Sequence, residues 1–438
     1  MAQPAISPVQ RRSTRVPPAV VTKVKEQVDS DSARLHAIFK DIHQHPELGF
    51  MEVRTAAIVA KELRTLGYEV QTGIARTGVA AILRNGQGPV VMYRADMDAN
   101  AVEELTSLPY ASKIRVKRED GVEVPVGHMC GHDAHVTWML GMAKAMAQMK
   151  SEWGGTLVLI GQPGEELITG ARAMVNDGLY TRCRIPVPDF FFGMHTAPGP
   201  VGYVANVPGV RVAGSDQIDV VFKGIGGHGS TPHLAKDPVI MAAMAVVQFQ
   251  VLVSRIVDPL ETAVVTVGSI QAGADNNVIP GEALVKINLC WFHPEVREKL
   301  IAGIKSISTS IAKSYGMPDD MLPVFTMKGG TTPLVNDAAL VERLNVAFRD
   351  LLGERNVVEE FPPATGSEDC HLLMGDKKVP FCYLLVGVAD PAVFAEARRQ
   401  GKFVPYANHN GNFMVDLAAI PLGAKVATVA MLDLLARN

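Results

Sequence analysis

The stretch TLVLIGQPGEE, residues 156–166, sets the reading of this chain. Its short apolar run, Leu157–Ile160, has the character of a buried strand, and the loop after it ends in two adjacent carboxylates, Glu165 and Glu166. Working outward, similar runs occur at Val79–Leu83, Val90–Tyr93 and Phe190–Phe192, and a helix is expected from about Ala134 to Met149. Helical periodicity also marks Ser32–Gln44, through Leu35, Ile38, Phe39 and Ile42, and Thr55–Leu66, which Gly67 stops. Strands alternating with helices predict an α/β domain with a largely parallel sheet.

The character changes near Arg211. Ile218–Phe222 alternates like a half-buried strand, Pro238–Val253 is a strongly apolar helix, Thr262–Val267 and Ala283–Trp291 are strand-like, and Pro294–Lys313 is helical. Two strand–helix–strand-like units there predict a compact α+β domain, 211–328, inserted into a discontinuous α/β domain of 26–210 and 329–438. After Lys328 the α/β pattern resumes with a helix at Asp337–Leu352, a strand at Phe381–Val386 and a helix at Leu417–Leu435. Two domains also fit the length of 438 residues, beyond what one core usually organises.

The bulk numbers exclude several classes. With 42 basic against 45 acidic residues, a net charge of −3, nothing calls for nucleic acid or an anionic membrane as partner. Five scattered cysteines do not form a disulfide framework and fit a reducing cytosol. No run is read as approaching the roughly 20 apolar residues of a membrane span. Residues 1–25 read as a frayed extension; Arg11, Arg12 and Arg15 have the flavour of a transit peptide, but prolines 4, 8, 17 and 18 argue against an amphipathic helix.

The chemically suggestive clusters sit where strands end, the edge at which open α/β sheets bind ligands. Asp96 and Asp98 follow Val90–Tyr93 and, two residues apart on extended chain, point the same way. HMCGHDAH, residues 128–135, packs three imidazoles, a thiol and a carboxylate into one loop; Cys130 and His132 can converge across Gly131, and Asp133 suits a helix N-cap. Adjacent Glu165 and Glu166 face opposite ways on extended chain, so one can ligate metal while the other handles a proton. His195 ends a strand, His409 lies between two asparagines, and His228 stands in the glycine-rich GIGGHGSTPH, which lacks the spacing and lysine of a phosphate loop.

In this order, the segments HQHPELGF (43–50), RADMDA (94–99), HMCGHDAH (128–135), GQPGEE (161–166), GMHTAPGPVG (193–202), GGHGSTPH (226–233), NNVIP (276–280), GSEDC (366–370) and NHN (408–410) resemble the amidohydrolase branch of the M20 metallopeptidases. That group holds hippurate hydrolases, N-acyl-amino-acid amidohydrolases and auxin-conjugate hydrolases. The resemblance implies a catalytic α/β domain interrupted by a lid that also dimerises. It implies two divalent metals held by Cys130, His132, Glu166, His195 and His409, with Glu165 as general base and Asp98 supporting the site. His228 would stabilise the transition state, often across the dimer. Hydroxide held on the metals at neutral pH would then cleave a C–N bond, usually an amide. Zinc or manganese is expected, with cobalt or nickel open.

Three positions depart from the pattern: Gly411 where a proline is usual, Asn100 where a leucine is usual, and Cys290 where an arginine is expected. They point to an altered substrate pocket, with Asn277 and Trp291 as candidate contacts and a small aromatic substrate. Hydrolytic deamination of an aromatic amine by the same site, and an inactive relative kept as a binding protein, are the alternatives.

Overall fold

The protein, seen in a computed structural model, is described here over residues 16–118 and 121–437. The main sheet has eight strands in the order Glu69–Ile74, Gly78–Asn85, Gly155–Gln162, Val90–Asp96, Phe190–Pro200, Phe381–Ala389, Val204–Ala205 and Val357–Val358. Its centre is parallel: Val90–Asp96 pairs in parallel with Gly155–Gln162 and Phe190–Pro200, which in turn pairs in parallel with Phe381–Ala389. The outer pairs are mostly antiparallel, so the sheet is mixed rather than largely parallel. Only three residues join Glu69–Ile74 to Gly78–Asn85, a link too short for the crossover that parallel strands require.

The helix His132–Gln148 is buried over nearly its whole length because Ala419–Leu434, Ser32–Gln44 and Pro18–Ser30 pack on it. That last helix corrects the reading of the N-terminus. Residues 1–15 lie outside the described residues, but Pro18–Ser30 buries Val20, Val21, Val24 and Val28. Pro18 opens this helix rather than breaking it, since a first-turn proline loses no intrahelical hydrogen bond.

A separate antiparallel sheet is ordered Ala263–Ala272, Glu282–Trp291, Gly214–Lys223, Val324–Thr331. The boundary expected at 328 falls inside its last strand. Alternation sends Ile218, Val220, Phe222, Val285, Ile287, Leu289 and Trp291 into a core with Met241, Ala245, Phe249, Leu300 and Ile304 of the helices Pro238–Val251 and Pro294–Ser314. Residues 238–256 are long and apolar enough by composition to cross a membrane, which corrects the expectation that no run comes close. Gln248, Gln250 and Arg255 interrupt the run, and its Met241–Phe249 face is the roof of this sheet. All five cysteines are free thiols.

Candidate metal centre

Separate elements deliver metal-binding side chains to one spot at the carboxyl ends of the central strands. Asp96, the last residue of Val90–Asp96, and Asp98 both reach the His132 ring: Asp96 Oδ2 lies 3.5 Å from Nε2 and Asp98 Oδ1 3.4 Å from Nδ1. Gly131 ahead of it has φ +84°, and the Thr196 side chain would stand 2.7 Å from any Cβ there, so only glycine lets the loop close onto the strand Phe190–Pro200. Cys130 Sγ then lies 3.5 Å from His195 Nε2 and 3.2 Å from His409 Nε2. His409 Nε2 is 3.3 Å from Glu166 Oε1, which is 3.7 Å from His132 Nε2. Glu165 Oε2 approaches the same imidazole nitrogen at 3.9 Å and also clusters with Glu368 and Asp369.

This set fits divalent metal. Both ring nitrogens of His132, Asp98 Oδ1 and Glu166 Oε1 are buried without a hydrogen-bond partner among the described residues. Orphaned buried atoms of this kind are costly unless a cation engages them. The His195 Nδ1 is held by the Thr196 carbonyl at 2.7 Å, which turns Nε2 toward Cys130, the orientation a metal-ligating imidazole needs. His409 takes the left-handed conformation, φ +64°, and its N–H is held by the Met129 carbonyl at 2.7 Å, a strained backbone kept at a functional position.

Charge organises the cluster. Burial and the Glu166 carboxylate push the Cys130 thiol up, but His195 and His132 outweigh them and bring it down to about 6. Burial likewise opposes ionisation of Glu166, yet His409 and His132 hold it at about 2. Glu165 goes the other way: burial, then Glu368 and Glu166, raise it well above the carboxylate range. Two neighbouring glutamates are thereby split into an anionic ligand type and a proton-holding type.

The profile of peptidase family M20/M25/M40 matches residues 92–426, most of the chain. The chain belongs to the M20 family. It is 36% identical over 346 residues to a hippurate hydrolase of Campylobacter jejuni, covering 78% of this chain and 85% of that one. It is 34% identical over 354 residues to an IAA-amino acid hydrolase (ILR1-like 2) of Arabidopsis thaliana, covering 81% and 76%. Among solved structures it is similar to a dinuclear metal binding M20 peptidase of Bacillus subtilis, with TM-score 0.69 and 26% identity over 93% of this chain and 99% of that one. The protein is a metal-dependent amidohydrolase that acts on C–N bonds.

Not every residue singled out in the sequence of this M20 amidohydrolase joins the centre. Trp291 does not line the cleft. Period-2 alternation turns it into the core of the second sheet, where its Nε1–H donates to Asp216 at 2.8 Å and Arg297 stacks over its ring. Its neighbours Asn288 and Cys290 face the cleft instead. His228 and Asn277 lie on an exposed two-stranded ribbon, His228 paired with Val278, away from the cleft of their own chain. Asp133 is not the N-cap, a place held by Gly131.

Two departures find physical reasons. A side chain at Gly411 would collide with the Glu103 carbonyl, 2.5 Å from a Cβ, so no proline fits. Asn100 is buried outside the cleft lining, and after His409 and His132 its side chain helps hold the Glu166 carboxyl low, so it supports the metal centre rather than lining the substrate pocket.

Sequence reading missed that support. His135 spends both ring nitrogens, on Asp96 Oδ1 at 2.5 Å and on the Thr196 N–H at 2.9 Å, which leaves it no metal-binding lone pair. Behind the centre, fully buried Arg94 donates to Asp96, Gln162 and Glu368, while Gln162 donates to Asp369. The period-2 spacing of Arg94 and Asp96 and the quoted GSEDC motif were the available signals.

His43 is sandwiched between Asp133 Oδ2 at 2.6 Å and Glu104 Oε1 at 3.1 Å. Burial opposes its charge, but Asp133 and Glu104 outweigh burial and push it up to about 10. A histidine raised on folding stabilises fully below its unfolded value near 6.5, and loses that contribution as pH climbs through about 10. His43→Gln is therefore expected to cost about 3 kcal/mol near pH 6. The Tm gap to wild type should narrow steadily toward pH 10 in thermal melts. A gap that stays constant over that range refutes the charged-pair account.

Proposed function

We propose that this amidohydrolase removes an aromatic acyl group from an amino acid, and that its centre is formed by Cys130, His132, Glu166, His195 and His409 around two divalent ions. The observation that carries the substrate class is the cleft over the cluster, about 980 Å³, which Phe361, Phe394 and Phe403 line together with Cys130, Glu165 and His409. Flat rings bury well against such a wall. Hippurate and indoleacetyl conjugates, named for the relatives above, are of this aromatic type.

Ions held there would supply Lewis-acid polarisation of the scissile carbonyl and an acidified water; the thiolate favours zinc by its softness, and the mixed nitrogen, oxygen and sulfur donors also admit manganese, cobalt or nickel. Asp98 braces both sides of the centre: Oδ2 accepts the Glu166 N–H at 2.9 Å while Oδ1 faces His132. Glu165, held beside the centre, would as a carboxylate take a proton from the attacking water and deliver it to the leaving nitrogen. Phe361 and Phe403 are exposed in the free chain, so an aromatic acyl group laid on that side would cover their rings.

We read the second sheet, Gly214–Thr331 with its two helices, as a lid that pairs two chains. Its helix Pro238–Val251 leaves Ile240, Met244 and Val247 exposed beside Val251 and Ile256, an apolar stripe suited to a twin. In a dimer, His228 and Asn277 on the exposed ribbon can reach the other chain's cleft.

With metal-loaded enzyme, kcat/KM for hippurate is expected to exceed that for an N-acetyl aliphatic amino acid by about 10- to 100-fold, the range open to an apolar pocket. An aminobenzoate should be inert. Efficient turnover of the acetylated aliphatic substrate alone sinks the aromatic reading, and ammonia release from the aminobenzoate supports ring deamination instead.

A further inference from the structure

The cleft contains a guanidinium that the fold leaves without a counter-charge. Among the described residues, the other buried or half-buried arginines (Arg34, Arg54, Arg94, Arg297, Arg343 and Arg349) each meet a carboxylate. Arg211 is half-buried and meets none; its Nη2 donates to the Phe361 carbonyl at 2.7 Å. Four of its five N–H donors thus have no protein acceptor among the described residues.

Two features make this arginine a binding group rather than a loose surface charge. Its backbone is fixed on both sides: the Ala364 N–H donates to the Arg211 carbonyl at 2.9 Å, and the strand Gly209–Val212 pairs with Leu334–Asn336. Its side chain lines the same cavity as Cys130, Glu165, His409 and Cys290, so a molecule that fills the cavity meets the metal centre and this guanidinium together. Burial without a paired anion also draws its pKa down, as expected of a cation short of a partner.

We propose that Arg211 binds the free carboxylate of the substrate while the amide lies over the metal centre. The substrate class is then an N-acylated amino acid with its carboxylate unblocked, held by the planar two-pronged contact that guanidinium makes and the Cys290 thiol cannot. The assignment rests on the amidohydrolase reading of the same cleft, and it supplies the arginine that position 290 lacks.

The test uses metal-loaded wild type, Arg211→Gln, Arg211→Lys and Arg398→Gln with hippurate and its carboxamide, scored by benzoate release. Arg211→Gln should raise KM for hippurate about 10- to 100-fold, the size of a charged hydrogen-bonded contact, with kcat changed little. Turnover of the carboxamide should stay within about 3-fold, which also verifies folding, and Lys should recover part of the loss. Calorimetry of hippurate on the Glu165→Gln protein, with and without Arg211→Gln, should show the same fall in affinity. Unchanged affinity, no hippurate binding at all, or a collapse in Arg398→Gln instead overturns the Arg211 assignment. Benzoate release from neither compound, with Arg211-dependent binding intact, overturns the functional reading alone.

Discussion

Glu165→Gln is expected to retain both metals and lose turnover by about a thousandfold or more, whereas Glu166→Ala loses metal. Glu165 and Glu166 are adjacent and both approach the His132 ring, at 3.9 and 3.7 Å, so distance alone does not divide their roles. Their surroundings do. Glu166 lies between His409 and His132 and is held anionic. Glu165 faces Glu368 and Asp369, and burial with those carboxylates raises its pKa. Glutamine keeps the shape of Glu165 but cannot carry the proton, and the loss of a general base typically costs 10²–10⁴-fold. Metal content after dialysis and kcat with a saturating substrate settle the division. Equal metal loss in both variants would show that the roles are shared rather than split.

The second large effect concerns His228, exposed and outside its own chain's cleft. If it serves the partner's site as an oxyanion donor, His228→Ala should lower kcat by about 10²–10³, the usual cost of one such donor. Mixing inactive His228→Ala chains with inactive Glu165→Gln chains should then restore activity. Half of the pairs would be heterodimers with one intact site each, which gives about one quarter of wild-type activity under random pairing. No recovery in verified heterodimers would mean that His228 acts within its own chain or not at all. Ser230, whose N–H and hydroxyl lie 3.1 and 2.8 Å from His228 Nδ1, already orients the ring, so the free Nε2 is the atom offered outward.

The strands and helices of the α/β layer were legible because their signal is local. Ser32–Gln44 forms over the residues its periodicity marks, and the runs at 90–93, 157–160 and 190–192 all lie inside central strands. The nine-residue helix Pro391–Arg399, which brings Phe394 and Arg398 to the cleft wall, escaped notice because it is too short to repeat an apolar period and buries only Ala397. The strand Glu69–Ile74 escaped for a related reason: it is an exposed edge with almost no buried face.

By itself the sequence determined the donor set: a thiol, imidazoles and carboxylates at strand ends, in an order that leaves few other chemistries open. The positions of Asp96 and Asp98 on one side followed from the period of extended chain, and both do reach His132. Only the tertiary structure decided which of those polar groups are free to act. His135 and His132 lie three residues apart in one motif, yet Asp96 and the Thr196 N–H saturate the first while both nitrogens of the second stay open. It also decided the cleft lining, turning Trp291 inward and leaving Cys290 and the unpaired Arg211 facing the substrate's side. The physical reason is that hydrogen-bond saturation and burial are set by neighbours far away in the chain, such as Thr196, 61 residues from His135, and Glu368, 274 residues from Arg94. Local pattern carries the identity of a group; long-range packing decides whether that group is already spent.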